Sequence, residues 1–154
     1  MAIEPSKQLK GLINDFETIK VLATVDENGQ PHSVWNQHVN MLEDGRLIYL
    51  ECLESSRNYK NFTRSLWYDR KVSVTVVGKN GASWQIKGKP DRIIVSGPIF
   101  EHHYKKLRER FGDVDLAAVC IIEPEELLDE SLGVQFENQE KNYPIFKHLD
   151  RLAR

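Results

Sequence analysis

Cysteine is scarce. Cys52 and Cys120 are the only two in 154 residues, they lie far apart, and neither belongs to a CxxC pair. This excludes a disulfide framework and a thiolate zinc site, and leaves two buried thiols as the expectation. Charge of one sign is equally scarce: a formal net charge of -2 creates no global field to hold nucleic acid or an anionic membrane. No apolar run approaches the ~20 residues that span a bilayer, and the opening MAIEPSKQLK has no apolar segment of the secretory type. The expectation is a soluble cytoplasmic protein without nucleic-acid or membrane partners. A GxSxG elbow, a P-loop, a dinucleotide glycine fingerprint and internal repeats are also missing.

What is present suits one well-buried core: 40% of residues are hydrophobic and 29% charged. Leu9, Leu12, Ile13 and Phe16 recur at helical spacing after Ser6. Ile19, Val21, Ala23 and Val25 then alternate with Lys20 and Thr24 as a strand, closed by the turn Asp26-Glu27-Asn28-Gly29. A second strand from Pro31 to Leu42, the turn Glu43-Asp44-Gly45 and a third strand from Arg46 to Cys52 complete a three-stranded meander. A helix from about Arg57 to Leu66 leads to Val72, Val74 and Val76 in alternation, then to a long strand from Ala82 to Val95 bent near Gly88 and Pro90. Ser96-Gly97-Pro98 opens a helix that Gly112 ends, and Leu116 to Glu123 reads as a buried strand before Pro124. Six antiparallel strands and about three helices make a mainly β, α+β protein. Closure into a small barrel would remove its exposed edges. Beyond Glu125 the chain is polar, with a weak amphipathic helix over Ile145, Phe146, Leu149 and Leu152.

Two segments carry chemistry. Ser55, Ser56, Arg57 and Asn58 place two hydroxyls and a cation at a helix start. The first turn is the positive end of the helix dipole, so Arg57 is misplaced there by ~0.3–1 kcal/mol unless a negative group answers it. A phosphate would answer it, meeting free backbone N–H groups and hydroxyl donors. The competing reading makes Ser56 a plain N-cap and Arg57 a solvated surface residue. The second segment is the strand from Pro31 to Asn40, with His32, Asn36, His38 and Asn40 on one face and Ser33 and Gln37 beside Trp35 and Val39 on the other. A central strand buried against core would leave such amides unpaired at ~1–3 kcal/mol each, so something polar must meet it. A flat heteroaromatic ligand with Trp35 as a wall fits, as does a wet subunit interface. The run from Ala82 to Gly88 is a further candidate wall, with Ser83, Gln85 and Lys87 on one face and Trp84 and Ile86 on the other, which an edge strand with one wet face would also explain.

The order Val21-Leu22-Ala23-Thr24-Val25, Pro31-His32-Ser33-Val34-Trp35-Asn36, Asp44-Gly45-Arg46-Leu47, Ser56-Arg57-Asn58-Tyr59-Lys60-Asn61-Phe62 and Val72-Ser73-Val74 resembles the pyridoxamine 5'-phosphate oxidase-like FMN-binding split-barrel family. Val34-Trp35-Asn36 and the run from Gly88 to Pro98 are most similar to its small FMN-binding proteins. The resemblance implies a six-stranded antiparallel split barrel over residues 1–126, a C-terminal extension with a short helix over 127–154, and a homodimer with FMN at the interface. It implies Arg57, with Ser55, Ser56 and Asn58, on the FMN phosphate; Val34, Trp35 and Asn36 along the isoalloxazine; and Trp84 and Gln85 closing the pocket. Asn58 stands where many members have lysine. The Arg-x-His pattern and tryptophan that hold pyridoxamine phosphate in the true oxidase are absent from Asn142 to Leu149. The function implied is an FMN-dependent oxidoreductase of unknown small-molecule substrate and unknown catalytic residues. The alternatives are a non-catalytic flavin carrier, or a haem protein using His32, His38, His102 or His103.

Overall fold

The computed structural model describes residues 4–144. Among these, four helices and seven strands run in the order α1 (Lys7–Asn14), β1 (Ile19–Val25), β2 (Pro31–Trp35), β3 (Val39–Met41), β4 (Leu47–Glu51), α2 (Arg57–Trp67), β5 (Val72–Val77), β6 (Ser83–Ile94), α3 (Pro98–Phe111), β7 (Ala118–Asp129) and α4 (Leu132–Asn142). The helix expected over Ile145 to Leu152 lies outside the described residues.

All the strands form one antiparallel sheet in the order β2-β1-β5-β6-β7-β4-β3. β2 and β3 are consecutive in the chain yet occupy opposite edges of that sheet. The chain crosses between them through Asn36, Gln37 and His38 alone, so the sheet has to curl until its edges nearly meet, giving a split barrel. The expected continuous strand from Pro31 to Leu42, central in a three-stranded meander, is therefore corrected to two short edge strands, and six strands become seven. The cause is local: the Asn36 side-chain oxygen accepts the His38 backbone N–H at 2.9 Å, an Asx-type bond that replaces the ladder. Asn36 N–H donates to Lys20 O on one edge at 2.9 Å, and Leu50 N–H donates to His38 O on the other at 3.1 Å.

β4 and the first half of β7 are buried on both faces. Leu47, Tyr49, Cys120 and Ile122 point into the barrel with Leu22, Val74 and Ile86, while Ile48, Val119 and Ile121 point outward beneath Leu107 of α3. α1 plugs one end with Leu9 and Ile13, its start capped by Ser6 Oγ, which accepts Leu9 N–H at 3.1 Å. α2 inserts Phe62 edge-on to Tyr49, with ring centroids 5.3 Å apart. β7 does not stop at Pro124 but pairs with β6 as far as Asp129, tolerating the proline at a bulge where the register shifts between Lys87 and Gly88. A Cβ on Gly88 would lie 2.3 Å from the Glu123 carbonyl oxygen. No helix among the described residues is long and apolar enough to cross a membrane.

The faces of β1 run opposite to expectation. Lys20, Leu22 and Thr24 are buried inside, while Ile19 is exposed and Val21, Ala23 and Val25 are half-exposed outside. Thr24 is satisfied there: it accepts from Asn61 Nδ2 at 3.1 Å and donates to Asn58 Oδ1 at 3.4 Å. Lys20 is 0% exposed and its Nζ has no hydrogen-bond partner among the described residues. Burial pulls its pKa down to about 8, with Asp15 opposing and Arg110 adding to the fall.

Two outcomes follow. Gly88→Ala should cost about 1–3 kcal/mol in urea unfolding, because the new methyl meets backbone that cannot rotate away. Lys20 should titrate nearer pH 8 folded and nearer 10.5 unfolded, so the unfolded chain binds more protons between those values and stability rises with pH across that window. Lys20→Met should abolish that rise and raise the unfolding midpoint at pH 7, as thermal melts at pH 7, 8.5 and 10 would show.

Candidate functional site

The start of α2 follows from Glu51 and Ser56. Glu51 is nearly buried at the end of β4, and its carboxylate accepts Leu53 N–H at 3.1 Å, turning the chain. Ser56 then caps α2, accepting Tyr59 N–H on its Oγ at 3.0 Å. The N–H groups of Arg57 and Asn58, ahead of Tyr59, lie outside the intrahelical ladder. Ser55 and Arg57 are exposed, and Arg57 enters no ion pair among the described residues. Glu51 and Glu54 leave it unanswered, whereas Arg64 further along α2 is tied to Glu27 at 2.6 Å. Asn58 differs from the sequence expectation: it is 4% exposed, and its side chain faces Thr24 in the interior. Its backbone N–H, not its amide, remains at the helix start. Ser56 Oγ is likewise engaged as an acceptor by the cap, leaving its hydroxyl hydrogen.

Trp35 and Val34 are placed by the pairing of β2 with β1. Val34 opposes Leu22 and points inward; Trp35 opposes Val21 and points outward, 70% exposed. Its indole N–H donates to Gln37 Oε1 at 2.7 Å, and Gln37 Nε2 donates in turn to the carbonyls of Phe16 and Thr18, which fixes the ring against the α1–β1 loop. Asn36 closes the bend, with its backbone N–H and its side-chain oxygen both engaged there. β2 is an edge strand, so one side of its backbone is unpaired among the described residues.

The same register joins Trp35, Val21, Thr75, Gln85 and Leu128 into one outer row, with Ser33, Ala23, Ser73, Lys87 and Glu126 in the next. Gln85 thus shares the outer face with Trp35. Trp84 points inward and packs on the barrel core, so the two candidate wall residues face opposite ways. Val21, Ala23, Ser73 and Thr75 were not singled out by sequence reasoning. The alternation in β1 showed two faces without showing which one turned outward.

The histidines are dispersed. His32 opposes Thr24 on β2, His38 lies half-buried at the bend with its ring 5.2 Å from Phe111, and His102 and His103 neighbour each other on α3. Burial, then the nearby Lys20 and Arg110, pull His38 below the ordinary histidine range. No group of three or more His, Cys, Asp or Glu able to hold a metal exists among the described residues. Cys52 is half-buried near the α2 start with its thiol pKa raised by burial; Cys120 is buried and pushed up to about 12.

From the α2 start to Trp35 the distance follows β1. Thr24, beside Asn58, and Lys20, beside Asn36, are four residues apart, roughly 13 Å along a strand. An anion site and an aromatic wall are thus separated by about the length of an elongated ligand.

Comparison with known proteins agrees with this architecture. HupZ of Group A Streptococcus is 23% identical, over 84% of this chain and 96% of its own, with a TM-score of 0.67. An FMN-binding protein from Syntrophomonas wolfei is 19% identical, over 80% of this chain and 84% of its own, also with a TM-score of 0.67. HutZ of Vibrio cholerae, described as a heme storage protein, is 17% identical, over 84% of this chain and 95% of its own, with a TM-score of 0.55. A search of curated proteins found no match. These structures share the fold, and their named ligands differ. The sequence model of pyridoxamine 5'-phosphate oxidase matches residues 6–134, most of the chain, and the protein belongs to that family.

Proposed function

We propose that the protein binds FMN, with the phosphate at the start of α2 and the ring system on the outer face beside Trp35, and acts as an FMN-dependent oxidoreductase. The observation that carries this reading is Arg57: an exposed guanidinium at the positive end of a helix, unanswered by any carboxylate among the described residues. The residues fit the cofactor in chemistry. Arg57, the N–H groups of Arg57 and Asn58, and the Ser55 hydroxyl supply donors for a dianion; Trp35 supplies an apolar wall, and the open side of β2 supplies backbone groups for the edge of a heteroaromatic ring. Bound FMN would supply the hydride or single-electron chemistry, and the chain would supply orientation and hydrogen bonds. Gln37 holds the Trp35 indole in place for that purpose.

A homodimer with FMN at the seam belongs to the same reading. The outer rows are a half-exposed sheet face rich in small and apolar side chains, Val21, Ala23, Val25, Ser73 and Thr75, beside a Trp35 that a single chain leaves uncovered. A second copy would cover them, and the protein would work where it is soluble, in the cytoplasm.

One observation favours a flavin carrier over an enzyme. The outer row at Trp35 contains Val21, Thr75, Gln85 and Leu128, none of which titrates, so no general acid or base adjoins the proposed ring position within that row. Turnover assays with NADH or NADPH separate the two. Release of an organic product supports the enzyme; flavin reduction without one supports the carrier.

Protein purified with added FMN should be yellow. Arg57→Ala should weaken FMN binding by about 10–100-fold, the loss expected for charge-assisted bonds to a phosphate. Riboflavin, lacking the phosphate, should bind both forms alike in fluorescence titrations; an equal loss for both flavins would remove Arg57 from the phosphate.

A further inference from the structure

At the other end of β1, where α3 passes the β2–β3 bend, there is a cavity of about 380 Å³ that shares Gln37 with the proposed flavin wall and lies away from the phosphate position. Leu42, Leu50 and Leu107 form part of its apolar floor. Its rim carries four basic side chains, His38, His103, Lys106 and Arg110, and no carboxylate is among the residues that line it. Helix α3 treats its cations unequally. Lys105 is paired with Glu101 at 2.8 Å and Arg108 with Asp113 at 3.2 Å, whereas Lys106 and Arg110, one turn apart on the cavity side, enter no ion pair among the described residues. Like charges at that spacing repel. The Arg110 guanidinium is held over the Phe16 ring at 4.0 Å and 5.5 Å from Phe111, so it is positioned and not simply solvated.

A second feature points the same way from inside the barrel. The Lys20 ammonium, fully buried and without a hydrogen-bond partner among the described residues, acts electrostatically on both His38 and Arg110. Asp15, on the α1–β1 loop, is the acid that acts on Lys20, and it does not line the cavity. Four basic groups from the bend and α3 thus line one hollow that leucines floor and Asn14, Gln37 and Asn40 edge, with the Lys20 ammonium behind it inside the barrel. Burial and neighbouring cations lower the pKa of His38 and of His103, so at pH 7 these rings are held towards the neutral form that donates a hydrogen bond without adding charge.

We propose that this cavity is a second ligand site, for a small apolar carboxylate: the acid group lies between Lys106 and Arg110, and a flat hydrocarbon body rests on Leu42, Leu50 and Leu107. The size of the hollow suits one or two fused rings, and the ring faces of Phe16 and Phe111 lie beside it. The site is distinct from the phosphate position proposed at Arg57, from which the length of β1 separates it, and it stands whether or not the protein binds flavin.

Calorimetric titration of the full-length protein tests this using naphthoate and its neutral analogue naphthylmethanol. Naphthoate should bind about ten-fold or more tightly than the alcohol, the discrimination expected of a charge-assisted contact. Lys106→Gln and Arg110→Gln should each reduce naphthoate affinity by about ten-fold and leave the alcohol unchanged. Arg57→Ala should leave naphthoate binding unchanged. Equal binding of acid and alcohol, naphthoate binding indifferent to both substitutions, or its loss with Arg57→Ala would overturn the proposal. Lys106 is exposed and its exchange leaves the packing intact, so it decides the matter if Arg110→Gln fails to fold.

Discussion

One bend organises the molecule. At Asn36, Gln37 and His38 the chain leaves one edge of the sheet and reaches the other, and the two backbone bonds flanking it, from Asn36 to Lys20 and from Leu50 to His38, tie both edges to the same short segment. A flat seven-stranded sheet could not satisfy both. The curl that results encloses Leu22, Val74, Ile86 and Ile122, leaves two ends for α1 and α2 to plug, and turns the opposite face outward. The side chains at the bend serve the same constraint: Asn36 caps the turn on itself, and Gln37 binds the loop between α1 and β1 while holding the Trp35 indole.

The curl also explains why β1 puts a lysine inside and valines outside. A strand in a barrel has no free choice of face, because its neighbours set the register: with Val74 and Val76 directed inward on β5, the paired positions Leu22 and Lys20 must go inward too. Burying an ammonium is costly. An apolar outer face exposed to water is a smaller cost, one that the second copy or planar ligand proposed above would remove.

The two ends of β1 are chemically alike and structurally different. At the Thr24 end, buried amides of Asn58 and Asn61 satisfy the hydroxyl, and the cation, Arg57, is carried outside at a helix start. At the Lys20 end the cation is inside, and the Lys106 and Arg110 charges add to it beside the cavity that His38 and His103 also line. Each end suits the anion proposed for it, the first through the helix dipole and an exposed guanidinium, the second through unpaired cations gathered at one place.

Local signals were legible in full where short-range chemistry decides the backbone. Ser6 and Ser56 start helices as caps, Pro98 and Gly112 bound α3, and Gly29 and Gly45 close turns with φ of 77° and 91°. The helix start at Ser55 to Arg57 was legible for the same reason. The strand from Pro31 to Leu42 was not, because nothing in its alternation announces that one side-chain bond from Asn36 will break it and send its halves to opposite edges. Nor was the sequence able to tell inside from outside on β1, or on β6 where Trp84 and Gln85 read as opposite faces, since alternation defines two faces and leaves their assignment to the partners they pair with. Amino-acid order determined the helix caps, the turns and which residues of a strand share a face; the closing of the sheet decided which face is buried, because only long-range pairing through β5 and β7 settles which side becomes the interior.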